Sequence, residues 1–231
     1  MKKIMFDSYY GLEQAVLKGS KTMTRRIISK SDEDWFQMQY GEEYERWIRN
    51  APFMYREVLA VAQSYKDLGY PSDTIQTGRC IRRGSHHPEN EWDDAMIGQR
   101  GDWFIDQLAG WENKMFVTAS MCKHHIRITD IKVERLKDIS KEDCLKEGID
   151  EDHTEYGDAL YWVSVPHEGI SWEEYRKRSY ELSCHELDGK KGEYFWDSPQ
   201  KAFAALIDKI SGKGTWNRNP FVFAYTFKLE D

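Results

Sequence analysis

From Lys18 to Lys30 the chain carries five basic side chains, Lys18, Lys21, Arg25, Arg26 and Lys30, and no acid. Such a run suits an anionic ligand, and Arg25 or Arg26 can grip a phosphate through two parallel N–H bonds. The chain is also rich in rings, with 9 Trp, 13 Tyr and 10 Phe. Trp216, Trp103, Trp111 or Trp35 could stack a nucleobase, at about 1–3 kcal/mol per base. Trp216 stands first, because Asn217, Arg218, Asn219 and Pro220 make its surroundings polar and tightly turned. Cys122, His124 and His125 could begin a metal site that Cys184-His185 or His86-His87 would complete, but the regular Cys/His spacing of a zinc site is absent. No metal and no cofactor is therefore expected. The Arg79–Arg83 run reads as a solvated face.

These groups must be held by elements. Asp7 or Ser8 can cap a short helix whose Tyr9, Leu12, Ala15 and Val16 share a face and whose Gly19 stops it. The basic run then begins at a helix C-terminus, where a cation is favoured by the helix dipole, although five exceed what one end needs. Residues 31–52 are acidic and aromatic and predict a helix ending before Pro52. Tyr55–Ser64 is apolar and partly β-branched and predicts a buried strand. From Lys66 to about Gly110 Gly and Pro break any periodicity, which marks an irregular insertion. Lys114–Ser120 and Ile126–Leu136 resume strand alternation, with Ile126, Ile128, Ile131 and Val133 as core positions and a bulge at Thr129-Asp130. Ser140 to Asp143 fits a capping box, opening a short helix that Gly148 ends. An insertion from Asp150 to about Gly214 holds two helices, Ser171–Ser183, with Trp172, Tyr175 and Leu182 inward, and Ser198–Ser211. Phe221–Leu229 closes the chain as a strand.

The 231 residues are enough for one domain with insertions at 31–52, 66–110 and 150–214. A net charge of −7 excludes a general polyanion coat, since binding along a duplex needs many Lys and Arg. No stretch reaches the ~20 apolar residues of a membrane span, no signal-peptide core follows Met1, and the four cysteines form no CxxC pair, so a cytoplasmic protein with reduced thiols is expected. Short strands with few helices and no βαβ rhythm predict an α+β fold built on a small mixed barrel.

Three segments resemble a known family. Gly19-Ser20-Lys21-Thr22-Met23-Thr24-Arg25, with Arg26 following, resembles the G-x-K-x-x-T-x-R signature of ASCH domains. Ile131 to Gly148 resembles the strand and short helix ending in E-G of that family, and Trp216–Leu229 its W-x-x-N-P closing strand. The match is to the larger, phage-associated type. The resemblance implies a PUA-like mixed β-barrel, here with short helices and large insertions, and a pocket that receives RNA or a modified base. One bacterial member is an amidohydrolase acting on N4-acetylcytidine through a Lys, a Thr three residues later and a Glu in the short helix. Those positions correspond here to Lys21, Thr24 and Glu147. The chain departs from the family in its length and in Glu57, which stands where a turn Gly is usual.

In that chemistry Thr24 attacks an amide carbonyl and Lys21, its pKa lowered by burial or by Arg25 and Arg26, takes the proton. Glu147 assists departure of the amine. Arg25 binds phosphate or the developing oxyanion, and Arg26, Trp216 and Asn219 complete the ligand site. The alternatives are a non-catalytic RNA-binding or modified-base reader, a ribonuclease using His124, His125 or His153, and a module that contacts a host or phage protein through its acidic insertions.

Overall fold

The structure, a computed structural model, describes residues 1–69, 112–166, 170–182 and 195–230. The fold is mixed α+β. Among the described residues seven strands fall into a five-stranded sheet and a two-stranded one. They are β1 (Lys2–Ile4), β2 (Met23–Ile27), β3 (Val58–Val61), β4 (His125–Arg135), β5 (Ile149–His153), β6 (Ala159–Val163) and β7 (Phe221–Leu229). The larger sheet has the order β1-β3-β4-β7-β2, and β5 pairs with β6. The sheet is mixed, because β1 runs parallel to β3 and β2 antiparallel to β7. Among the described residues no closed barrel forms, in contrast to the barrel expected from the sequence. No helix among them is long and apolar enough to cross a membrane.

The chain divides into two compact units. The first comprises Met1–Phe6, Val58–Ile126 and the last two residues. There β1 registers Lys2 against Leu59 and Ile4 against Val61. Leu59 through Ala62 are wholly buried, as expected of a continuous apolar strand in a parallel pair. Tyr65, Leu68, Val117 and Cys122 pack with Ala60 into a small core. The strand anticipated over 114–120 is instead a set of turns with a 3₁₀ turn at Ala119–Met121. The Lys3 ammonium ties this segment down by donating to the carbonyls of Lys114, Met115 and Val117.

The second unit comprises Asp7–Glu57 and Arg127–Leu229. It holds α1 (Leu12–Leu17), α2 (Lys30–Tyr40), α3 (Tyr44–Ile48), α4 (Lys141–Lys146), α5 (Trp172–Glu181), α6 (Pro199–Ile210) and α7 (Thr215–Arg218). Three details differ from the sequence reading. The single helix expected over 31–52 is two, broken at Gly41, whose φ of 56° suits a residue without Cβ. Neither Asp7 nor Ser8 caps α1: Gly11 occupies the N-cap, and Asp7 accepts a hydrogen bond from the Tyr10 amide instead. The hairpin β5–β6 was not anticipated, because three acids in a row, Asp150 to Asp152, conceal its alternation.

Rings do build the core of this unit. Trp47 is fully buried and stacks on Phe36 at 5.1 Å, with Phe221 edge-on at 5.1 Å. Phe36 also meets Phe223, and Phe53 meets Tyr225. Each buried Phe is worth about 1.5–3 kcal/mol relative to exposure. Helix α6 buries Ala202, Phe203, Leu206 and Ile207 along one stripe. In β4, Ile126, Ile128 and Ile131 are buried while Thr129 and Asp130 are both exposed, so the alternation slips where the sequence predicted. Trp172, expected inward, is 71% exposed and stacks on Tyr175 along α5.

Candidate functional site

Strand β2 is the element that sorts the basic run. It pairs with β7 in the register Thr24↔Tyr225, Arg25↔Ala224 and Arg26↔Phe223. Successive side chains of a strand point to opposite faces, so Arg25 lies on one face with Met23, and Thr24 and Arg26 lie on the other with Tyr225. Helix α4 stands on the Arg25 side. Ser140 opens it by accepting the Asp143 amide at 3.1 Å. The Asp143 carboxylate does not reach back as in a reciprocal capping box but bonds Arg25 and Lys146. Gly148 ends the helix at φ 98°, a left-handed conformation that turns the chain into β5.

The C-cap residue of that helix, Glu147, meets Lys21. The Lys21 ammonium donates to a Glu147 carboxylate oxygen and to the Glu147 carbonyl, both at 2.6 Å, with side-chain exposures of 2% and 5%. Arg25 closes the cluster. Its guanidinium donates to Glu134 at 3.0 and 2.5 Å, to Asp143 at 3.1 Å and to the second Glu147 oxygen at 3.1 Å. Phe203 lies beneath it, 6.0 Å from the guanidinium carbon. Three carboxylates thus face Lys21 and Arg25, and Arg26 adds a third cation within electrostatic reach of Glu147.

Burial holds the Lys21 pKa below that of an ordinary lysine, and Arg26 and Arg25 push it the same way while Glu147 pulls it back up. Burial also opposes the charge of Arg25, but Glu147, Glu134 and Asp143 outweigh it and raise its pKa. Arg26 is lowered by burial, with Glu147 and Tyr225 acting against that. Cys144, on the buried face of α4, is pushed up to about 12 by burial and is therefore an inert thiol.

Of the predicted residues, Lys21, Arg25 and Glu147 are brought together. Thr24 is buried on the other face of β2, and among the described residues its hydroxyl bonds neither Lys21 nor Glu147. Trp216 and Asn219 have structural partners. The Trp216 amide donates to Asp208, its ring meets Phe203 edge-on at 6.2 Å, and Lys137 lies 5.9 Å from it. Asn219 sits at φ 49° after α7, where its side-chain oxygen accepts the Lys137 amide at 2.8 Å. Trp35 is 43% exposed on α2 and meets Phe36 and Tyr40. No group of three or more His, Cys, Asp or Glu side chains is placed to hold a metal ion among the described residues. Trp103, Trp111, His86, His87, Cys184, His185, the Arg79–Arg83 run and most of the 66–110 insertion lie outside them.

A cavity of about 580 Å³ adjoins the pair. Its wall is contributed by α1 (Leu12, Gln14, Ala15) and its C-cap Lys18, by the hairpin (Asp150, Asp152, Trp162) and by α5 (Tyr175, Ser179), and it also includes Ser20 and Gly148, the chain neighbours of Lys21 and Glu147. Lys21, Thr24 and Glu147 are not themselves in that wall. Asp150 and Asp152 share one face of β5, and Trp162 is the register partner of Asp150 across the hairpin. Gly11 permits the close packing on one side: at φ 78°, a Cβ there would come within 2.6 Å of the Ser164 carbonyl and 2.7 Å of Pro166. Glu134, Asp143 and the cavity residues were missed from sequence. Asp143 was absorbed by its capping role, and the hairpin's one cue was Gly157 between two alternating runs.

Compared with known proteins, the chain matches no family model, no curated protein and no solved structure.

Proposed function

We propose that this chain is a cytosolic, ASCH-type, PUA-like domain that binds RNA or a modified nucleoside, with the mixed five-stranded sheet in the role of that family's barrel. One observation carries the reading: a cavity of nucleoside size, about 580 Å³, whose wall includes Ser20 and Gly148, the chain neighbours of the buried Lys21–Glu147 pair. Cavities of roughly 300–1,000 Å³ with apolar and aromatic walls and a few polar groups are the usual form of small-ligand sites. The pair braces the segment Ser20–Lys21 against Glu147–Gly148, so that both backbone stretches present a fixed wall to the ligand. Calorimetric titration of the full chain with N4-acetylcytidine and with a short single-stranded RNA tests this. Saturable binding of either is expected, and heat of dilution alone from both would overturn it.

A second reading, hydrolysis of an acylated base amine, is favoured by the Lys21–Glu147 contact itself. A lysine held low by burial and touching a carboxylate is equipped to take one proton and pass another. In this reading Thr24 adds to the acetyl carbonyl as Lys21 removes its proton, that proton passes through Glu147 to the amine as the C–N bond breaks, and water then hydrolyses the acetyl ester, releasing acetate and restoring the Thr24 hydroxyl. This reading requires Thr24, which lies on the other face of β2, to be brought to Lys21 by a local rearrangement when substrate binds. Acetate release from N4-acetylcytidine, lost in Lys21→Ala and Thr24→Ala, is the expected result. Release equal in wild type and both variants, or none from the wild type, would sink this reading while leaving binding intact.

A further inference from the structure

We infer that the cavity between α1, the β5–β6 hairpin and α5 takes a flat heteroaromatic ring that carries N–H donors or positive charge and no phosphate, with Trp162 as its stacking surface and Asp150 as its acceptor. This deepens the proposed function and rests on it for the choice of nucleosides as probes.

The charge of the wall supports this. Asp150 and Asp152 place two carboxylates on the same face of β5, and Lys18 is the cation among the lining residues. A third carboxylate, Glu181, accepts the Tyr10 hydroxyl at 2.8 Å beside the same wall. Two cations of the basic run are committed elsewhere, which leaves Lys18 facing the two carboxylates of β5. Arg25 already donates to Glu134, Asp143 and Glu147, and the Lys21 ammonium to Glu147. A phosphate entering here would meet like charge, which costs binding free energy, and no paired fork of donors.

The aromatic part is fixed by the hairpin. Trp162 lies across from Asp150 in register, and Phe195 holds its ring edge-on at 5.3 Å. Ser164 donates to the Asp150 carboxylate, which orients it and leaves lone pairs for ligand N–H groups. A ring held face-on by an indole and edge-on by a carboxylate is discriminated by its donors rather than by its charge alone. The hairpin and α5 belong to the 150–214 insertion, so this insertion supplies the selectivity of the site.

Titration of the full chain with cytidine, N4-acetylcytidine, cytidine 5′-monophosphate and a short single-stranded RNA tests the inference, with wild type, Trp162→Ala, Trp162→Phe and Asp150→Asn side by side. A nucleoside is expected to bind about tenfold or more tightly than the monophosphate. Trp162→Ala should weaken nucleoside binding by about tenfold and Trp162→Phe by much less, the second variant showing that the hairpin still folds. Asp150→Asn should shrink the preference for nucleoside over monophosphate. Monophosphate binding as tight as nucleoside, or affinities unchanged in Trp162→Ala and Asp150→Asn, overturns the inference. RNA binding without nucleoside binding also overturns it, while leaving the RNA-binding reading in place, and absence of both defeats the two together.

Discussion

The charge cluster at Lys21 and Arg25 and the cavity at Trp162 adjoin one another in the second unit, yet they spend their polar groups differently. In the cluster Lys21, Arg25, Asp143 and Glu147 are buried, Glu134 is half-buried, and the charges answer one another: Arg25 has three carboxylates and Lys21 has two acceptors on one residue. In the cavity Asp152 is exposed, Asp150 and Trp162 are half-buried, and the acids outnumber Lys18. A closed network resists change and holds the chain in place. A partly satisfied wall has hydrogen bonds left to give, and that is what a ligand needs. The basic run that looked like a phosphate grip is thus divided, with Arg25 turned into scaffold by strand alternation.

The largest expected effect lies in the cluster. Lys21→Met leaves Glu147 buried with one cation fewer, and removing one partner of a buried pair typically costs about 3–5 kcal/mol. Urea unfolding should show a loss of that order, with part of it recovered when Glu147→Met is added. A loss confined to ligand binding would show the cluster to be a working site rather than a brace. Next comes Gly11→Ala. It forces an alanine to adopt φ 78° and drives its Cβ into the Ser164 carbonyl, for a cost of about 2 kcal/mol or more. The same change should weaken nucleoside binding, since α1 and the hairpin end must move apart, and unaltered affinity would show that the cavity tolerates that movement.

A smaller effect depends on pH. Folded Cys144 stays protonated to about 12, whereas in the unfolded chain it ionises near its ordinary 9.0. Above that pH ionisation favours the unfolded chain, so this contribution to stability falls as pH rises. Lys21 has the opposite slope: its folded pKa lies below 10.5, and stability is gained as pH climbs toward that value. Cys144→Ala removes the first and keeps the second, so its urea midpoint should fall less than the wild type's between about pH 8.5 and 10.5. An identical fall would place the alkaline sensitivity elsewhere, with Tyr225, which burial raises to about 12, the next group to replace. Smallest of all, Lys30→Ala removes an exposed pair with Asp34 on α2 and should leave the midpoint unmoved.

What could be read from the sequence follows from the range over which each signal acts. β7, the central part of β4 and the capped helix α4 announce themselves by alternation or by a Ser three residues before its partner amide, both local patterns. β1 was invisible because three residues carry no period, and it is defined by pairing with β3 more than fifty residues away. The α2–α3 break depends on the φ of Gly41, a glycine that a helix could also have absorbed. At the site, Lys21 and Glu147 came from a motif resemblance, and their contact spans 126 positions. Glu134 and Asp143 carried no separate mark, since one reads as a strand residue and the other as a helix start. Trp162 lay hidden among other tryptophans, and only the hairpin register sets it beside Asp150.

Hydrogen–deuterium exchange of the full chain with and without N4-acetylcytidine tests most directly whether the cavity, and not the basic strand, receives the ligand. Ligand-dependent protection is predicted along Ile149–His153, Ala159–Val163 and Trp172–Glu181, with β2 and the segment around Trp216 unchanged. Protection concentrated at Met23–Ile27 and Thr215–Arg218, with none in the hairpin, would contradict it.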